Sequence, residues 1–211
     1  MTVSHILGYP RIGAQRELKK VTEAYWKGDV SRDELEAAGQ ALRLAHWQTQ
    51  QAAGLDMVSV GDFAFYDQVL NVSVMLGAVP SRFQAQDEVN AGHVDLDTAF
   101  RMARGRAPSG TPAAACEMTK YFDTNYHYLV PELHPGQTFT LASTRLFDEV
   151  DEALKAGFTP KVTLTGPLTW LWLGKTKGSD FNRLELLDSV LDVYSETLSR
   201  LATQGIEWVQ L

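Results

Sequence analysis

Cysteine and long apolar runs are both scarce in this sequence of 211 residues. Its single cysteine, Cys116, has no partner for a disulfide within the chain. No run of about 18 apolar residues occurs, and no charged and then apolar leader opens the chain. We therefore expect no membrane association, and the lone thiol predicts a reducing, cytoplasmic setting.

Positive charge is in the minority, with 19 Lys and Arg against 26 Asp and Glu and a formal net charge of −7. Nucleic acids are bound through an excess of cations, so we expect no nucleic-acid partner. The five histidines lack the spacing that places two metal ligands on one helix, and no Gly-x-Ser-x-Gly segment occurs. The chain therefore predicts neither a catalytic metal nor a serine hydrolase of that type.

Apolar residues make up 45% of the chain, and strand-like and helix-like patterns of them alternate along it. We predict strands over 5–9, 55–60, 126–130, 161–165 and 206–211, with a weaker candidate at 138–141, and helices over 16–26, 31–53, 66–79, 144–156 and 181–203. Ser31 and Glu34 have the spacing of a capping box at the start of the second helix. Residues 80–111 are rich in glycine, proline and charge, and predict loops with an exposed excursion at 84–92.

Strands that alternate with amphipathic helices predict an α/β fold with a parallel sheet. A doubly wound sheet and a (β/α)8 TIM-type barrel both fit this pattern. The first strand is not followed by the glycine-rich turn of a dinucleotide-binding sheet, which favours the barrel. Such a barrel needs eight strands in about 250 residues. With about five βα units, residues 1–211 are expected to form a single, incomplete barrel domain at the front of a longer protein.

Four cations, Arg11, Arg16, Lys19 and Lys20, lie among the first twenty residues with Glu17 as the only acid. They follow the first predicted strand, and a parallel barrel builds its ligand site at the carboxyl ends of its strands. Arg16 and Lys19 are three residues apart on the predicted helix, so both can face one ligand. The group predicts a site for carboxylates or phosphates, with solvated surface cations as the alternative.

The segment 61–67, at the end of the second predicted strand, contains two acidic and three aromatic side chains. Asp62 and Asp67 can accept hydrogen bonds from a ligand, and Phe63, Phe65 and Tyr66 offer flat faces for stacking. The alternative is a helix-capping aspartate followed by core aromatics.

Three further features are weaker candidates. Arg101, Arg104 and Arg106 form a second basic group, which is more typical of a solvated patch. Trp170 and Trp172 follow a strand and can line a pocket, although packing is the more common role. Cys116 lies beside three alanines and is typical of a buried small side chain.

Particular segments resemble one known family along nearly the whole chain. They are LGYPRIG at 7–13, RELKK at 16–20, VGDFAFYD at 60–67, RGRAP at 104–108, EMTKYFDTNYHYLVPE at 117–132, LTGPLTWLWLGK at 164–175 and TQGIEWVQL at 203–211. Together these segments are similar to the N-terminal part of the cobalamin-independent methionine synthases, whose members consist of two (β/α)8 barrels.

The resemblance implies a methyltransferase of methionine biosynthesis, which moves a methyl group from 5-methyltetrahydropteroyltri-L-glutamate to L-homocysteine. It places Arg16, Glu17, Leu18 and Lys19 in the folate-binding segment and makes Lys120 a further folate contact. It also implies that the zinc ligands and catalytic groups lie outside this chain, so we expect no catalytic residue and no zinc here. The alternative is a non-catalytic ligand-binding module that acts alone.

Overall fold

A computed structural model describes residues 2–84 and 93–211. Its helices are α1 (Glu17–Lys27), α2 (Arg32–Ala52), α3 (Gln68–Met75), α4 (Leu96–Arg104), α5 (Arg145–Lys155), α6 (Pro167–Leu173) and α7 (Leu187–Thr203). Its strands are β1 (Val58–Val60), β2 (Met118–Lys120), β3 (His127–Leu129), β4 (Glu132–Leu133), β5 (Pro160–Thr163), β6 (Lys175–Thr176) and β7 (Val209–Gln210). The described chain is a mixed α/β fold that divides into two compact units.

The first unit contains the residues up to Phe65, together with Arg145–Leu164 and Leu201–Leu211. Its sheet has the order β1-β5-β7, and both pairings are parallel. Because parallel neighbours need crossover connections, helices lie between these strands in the chain, with α5 before β5 and α7 before β7. Val60, Phe147 and Val162 from the sheet and α5 are at most 2% exposed and form part of the core of this unit.

The second unit contains Tyr66–Thr144 and Thr165–Arg200. An antiparallel hairpin of β2 and β3 and a short parallel pair of β4 and β6 are its sheets among the described residues. One hydrophobic cluster of this unit joins Leu70 of α3, Phe83, Met102 of α4 and Leu129 of β3. The hairpin is therefore packed through β3 onto two helices.

Most predicted helices are confirmed, and their ends follow the expected local signals. The Ser31 hydroxyl accepts a hydrogen bond from the Glu34 N–H, and the Glu34 carboxylate accepts one from the Ser31 N–H, which completes the capping box of α2. Gly28 has a φ of 83° after α1, a conformation that glycine adopts without a steric cost. The helix predicted over 66–79 is shorter because Asp67 caps it and it ends at Met75.

Four predictions were wrong. Residues 5–9 and 138–141 form no strand. A nine-residue helix, α4, occupies part of the predicted loop region, where Asp95 caps it and Gly105 ends it. The last long helix begins only at Leu187, after a 3-10 turn at Arg183–Leu186. The excursion predicted at 84–92 lies, except for Gln84, outside the described residues.

Candidate functional site

Arg16 lies directly before α1 and has a left-handed backbone, with φ 63° and ψ 37°. This conformation costs about 1–2 kcal/mol in a residue that carries a Cβ. The Arg16 N–H donates to the Gly13 carbonyl at 3.2 Å and closes the turn. The prediction that Arg16 and Lys19 share a helical face was wrong, because the helix begins one residue after Arg16. The Arg16 side chain is nevertheless exposed.

Glu17 organises the turn that presents Arg16. Its carboxylate accepts the Gln15 N–H at 2.9 Å. Hydrogen bonds from the backbone N–H groups of Glu17 and Gln15 lower the pKa of this carboxyl. The φ of Gly13 is 82°, a left-handed conformation that glycine adopts without a steric cost, and a Cβ there would also lie 2.2 Å from the flexible end of the Glu17 side chain, so the turn favours glycine at that position. Glu17 is therefore a carboxylate used within the turn, next to the cations.

The other two predicted residues of this segment differ in exposure. Leu18 is only 1% exposed, so its side chain belongs to the core. Lys19 is exposed and lies 3.6 Å from the Glu23 carboxylate, one helical turn further on. Arg11, in the same basic segment, donates to the Ala64 carbonyl at 2.8 Å. Arg16, Lys19 and Lys20 are thus the exposed cations of this segment.

Lys120 lies in the second unit, at the end of β2, where it pairs with His127 of β3. Its side chain is 54% exposed, and its Nζ atom is 4.0 Å from Asp123 Oδ1. The chain turns back at Phe122 and Asp123, whose φ angles are 44° and 60°. The Thr124 N–H donates to the Tyr121 carbonyl across this turn at 2.9 Å. The hairpin therefore presents an ammonium group beside a tight turn.

The acidic and aromatic segment after β1 is mostly structural. Phe63 and Phe65 are 3% and 6% exposed, so the prediction that they offer stacking faces was wrong and the core interpretation is confirmed. Asp67 caps α3, as the alternative interpretation has it. Asp62 accepts the Tyr9 N–H at 2.6 Å, and burial raises the pKa of its carboxyl.

A buried ionic cluster adjoins Asp62 in the first unit. The Arg43 guanidinium donates two hydrogen bonds of 2.8 Å to the Glu152 carboxylate. Its Nη1 atom also lies 3.7 Å from Glu149 Oε1, and neither of these two atoms has a hydrogen-bond partner among the described residues. Burial raises the pKa of Glu149 to about 7 in spite of Arg43. A cavity of about 10 Å³, which can hold about one water molecule, is lined by Asp62, Arg43 and Glu149.

The weaker candidates have structural positions. Arg101 is 1% exposed on α4 and donates to the Thr98 hydroxyl at 2.9 Å, so it is not part of a surface patch. Arg104, on the same helix, is partly buried, and burial lowers its pKa. Cys116 is 7% exposed, and burial raises its pKa to about 12. The buried role predicted for Cys116 is confirmed, whereas the solvated patch predicted around Arg101 is wrong.

The two tryptophans lie on α6 and differ from each other. Trp170 is fully buried and donates from its indole N–H to the Ser73 hydroxyl at 3.1 Å. Trp172 is 60% exposed, and the Arg183 guanidinium lies 4.7 Å from its ring centre. Trp170 therefore packs in the core of the second unit.

Two polar arrangements escaped the sequence analysis. Arg43 and Glu149 lie at positions of their helices where the helical pattern expects apolar residues. A charged residue at such a position is the sequence signal that predicts a buried ion pair. Asp67 also accepts the Leu129 N–H at 3.1 Å, a contact between residues 62 positions apart that no local pattern indicates.

Neither a metal-binding group nor a membrane-spanning helix occurs among the residues that the structure describes. No group of three or more His, Cys, Asp and Glu side chains that can hold a metal occurs in residues 2–84 and 93–211. No helix within those same ranges has both the length and the apolar character needed to cross a bilayer.

Comparison with known proteins identifies relatives along the full chain. The family model described as "Cobalamin-independent synthase, N-terminal domain" matches residues 3–211. A protein of Proteus mirabilis named 5-methyltetrahydropteroyltriglutamate–homocysteine methyltransferase is 58% identical over 212 aligned positions. Proteins of the same name from Serratia proteamaculans and Yersinia enterocolitica are 57% and 58% identical.

The match covers 99–100% of this chain but only 27–28% of the relatives. The chain thus spans about a quarter of the length of the curated relatives it matches. Since the family model covers nearly every residue, the chain belongs to the cobalamin-independent synthase family and corresponds to its N-terminal domain.

Proposed function

We propose that this chain is part of an enzyme that transfers a methyl group from 5-methyltetrahydropteroyltri-L-glutamate to L-homocysteine, giving methionine. The observation that carries the proposal is the identity of 57–58% to relatives named for this reaction, over practically the whole chain. A segment this similar is expected to keep the same task in the complete protein.

The task of this segment is to bind the polyglutamate tail of the folate. Arg16, Glu17, Leu18 and Lys19 form one contact segment, and Lys120 is a further contact. Exposed cations can form charge-assisted hydrogen bonds with the tail carboxylates, which are stronger than neutral hydrogen bonds. Leu18 supports the segment through its side chain, which is buried in the core, while Glu17 fixes the turn that carries Arg16.

For the fold we propose a TIM-type barrel, to which residues 1–211 contribute a single folate-binding domain. The parallel order β1-β5-β7, with helices between the strands, is the arrangement that such a barrel requires. The parallel pair β4 and β6 fits the same pattern. The barrel needs more strands than are described here.

The homocysteine site and a zinc ion belong, in this proposal, to parts of the enzyme outside this chain. Zinc would supply a lowered thiol pKa, so that homocysteine reacts as a thiolate. The described residues offer no cluster of three His, Cys, Asp and Glu side chains that fits the metal. In this proposal the residues of this chain serve substrate binding and support. A cytoplasmic setting stays a prediction from the single cysteine.

The test compares folates with one and three glutamates, bound to the whole product of the gene that contains this chain. We expect Lys19→Ala and Lys120→Ala each to weaken triglutamate binding by about five- to tenfold, because each removes one charge-assisted contact. Binding of the monoglutamate should change by less than about twofold. Calorimetric titration gives both affinities.

Lys27→Ala is the matched control, because Lys27 is an exposed lysine at the other end of α1. This variant should bind both folates like the wild type. Equal weakening of both folates by Lys19→Ala or Lys120→Ala would show that these lysines do not bind the tail.

A further inference from the structure

The position of Lys120 depends on how its hairpin is held. Lys120 lies at the end of β2, and the whole of β2 pairs with β3, from Met118 opposite Leu129 to Lys120 opposite His127. Among the described residues, the Lys120 side chain forms one ion pair, at 4.0 Å, with the Asp123 carboxylate, which is 98% exposed. Such a contact contributes little to fixing a side chain. The backbone of the hairpin must therefore set where this ammonium is available.

Asp67 links the hairpin to the start of α3 through one buried carboxylate. Its Oδ1 atom accepts the Val69 and Leu70 N–H groups at 2.7 and 3.0 Å, which caps the helix. Its Oδ2 atom accepts the Leu129 N–H of β3 at 3.1 Å. Asp67 is 1% exposed, and Leu129 is 2% exposed. Because this site is buried from water, a backbone N–H that loses its acceptor here lowers the free energy of unfolding by more than a surface hydrogen bond raises it.

A second hydrogen bond joins the same two elements. The Gln68 N–H, in the first turn of α3, donates to the Tyr126 hydroxyl at 3.1 Å. Tyr126 precedes β3, and its carbonyl accepts the Tyr121 N–H at 2.7 Å, which extends the pairing of the hairpin beyond Lys120. The start of α3 therefore holds the hairpin at Tyr126 and at Leu129, on either side of the residue opposite Lys120.

We propose that Asp67 is a positioning residue for tail binding, which holds the β2–β3 hairpin on α3 so that Lys120 is presented in a fixed place. This inference rests on the proposed function, since it assigns the purpose of the fixed position to the folate tail. Asp67 does not touch the ligand in this proposal. It acts through its hydrogen bond from the Leu129 N–H and through the strand pairing. When a supporting contact of this kind is lost, the binding group, here the Lys120 ammonium, is held less precisely.

Asp67→Asn tests the proposal with little change in shape. The amide has only one oxygen, so it can serve the two N–H groups of the helix cap or the Leu129 N–H, but not both. Asparagine is as good a cap as aspartate, so α3 should persist. Removing a carboxylate makes the unit less negative, which by charge alone would strengthen binding of an anionic tail. A weakened affinity can therefore not be a charge effect.

In the whole gene product we expect Asp67→Asn to weaken triglutamate binding about fivefold and monoglutamate binding by less than about twofold. Hydrogen exchange at the amides of β2 and β3 should become faster in the same variant. Asp95→Asn is the matched control, because Asp95 caps α4 in the same unit through the Thr98 N–H at 2.7 Å. It should change neither the exchange in the hairpin nor the preference for triglutamate.

Tyr126→Phe provides a second, milder variant if Asp67→Asn does not fold. It removes only the hydroxyl that accepts the Gln68 N–H, and should weaken triglutamate binding selectively but to a smaller extent. The positioning role would be overturned if both variants keep wild-type exchange and wild-type triglutamate affinity while Lys120→Ala weakens triglutamate binding. Faster exchange in Asp67→Asn with no effect of Lys120→Ala would support the hairpin contact and overturn the proposed tail site.

Discussion

Buried charge is the main residue-level feature of the first unit. Arg43 and Glu149 lie within 3.7 Å of each other in its interior, at 6% and 3% exposure. Arg43 satisfies Glu152 with two short hydrogen bonds, which leaves Glu149 with the weaker share of the guanidinium. A buried carboxylate that is only partly compensated binds a proton more readily. This explains a pKa of about 7 instead of the usual 4.5.

Because the folded state raises the pKa of Glu149, the stability that this group contributes is fully present below about pH 4.5 and is lost as the pH rises through about 7. We expect Glu149→Gln, which is always neutral, to lack this loss. Between pH 5 and 8 the free energy of unfolding of the wild type should fall relative to the variant by on the order of 2 kcal/mol. Urea denaturation at the two pH values measures the difference.

Asp148→Asn serves as the control, because Asp148 is an exposed acid on the same helix. Its pH dependence should follow that of the wild type. If the Glu149→Gln curve also parallels the wild type between pH 5 and 8, Glu149 does not bind the proton.

The start of α2 is an element-level feature that the sequence makes predictable. The capping box at Ser31 uses residues only three positions apart, so it is visible as a local pattern. We expect Ser31→Ala to lower the free energy of unfolding by about 1 kcal/mol, because the Glu34 N–H loses its acceptor. Thr49→Ala removes an exposed hydroxyl near the other end of α2 and should change the stability by less than about 0.5 kcal/mol. Equal effects in chemical denaturation would argue against the cap.

Elements held by distant partners escaped prediction for the opposite reason. Residues 5–9 have the composition of a strand, but the segment around them is fixed by contacts such as the Ser4 N–H with Asp56 at 2.7 Å and the Tyr9 N–H with Asp62. Their partners lie more than 50 positions away, so no local pattern shows them. Local spacing also misplaces Arg16, because its own left-handed backbone conformation puts it before the helix that the spacing predicts.

At the scale of the whole molecule, the net charge of −7 would oppose the binding of the proposed anionic tail, which the exposed cations would attract locally. Salt screens both effects, with a Debye length of about 10 Å at 0.1 M, but the contacts between cations and tail carboxylates that are closer than this would dominate the affinity. We expect triglutamate binding to weaken several-fold between about 20 and 200 mM salt, and monoglutamate binding to weaken less. Isothermal titration at the two salt concentrations measures both. A salt dependence that is the same for both folates would mean that the outer carboxylates meet no cation.

The ammonium of Lys161 determines where the chain can be shortened. Lys161 lies on the central strand of the first unit at 3% exposure, and it donates to the Ile6 carbonyl at 2.6 Å and to the Gln210 amide oxygen at 2.5 Å. Trimming the first seven residues would remove one of these acceptors and leave a charged group poorly solvated, at a cost typical of a broken buried contact. A shortened chain that begins at its first secondary-structure element, α1, would therefore lack the Ile6 carbonyl that Lys161 needs.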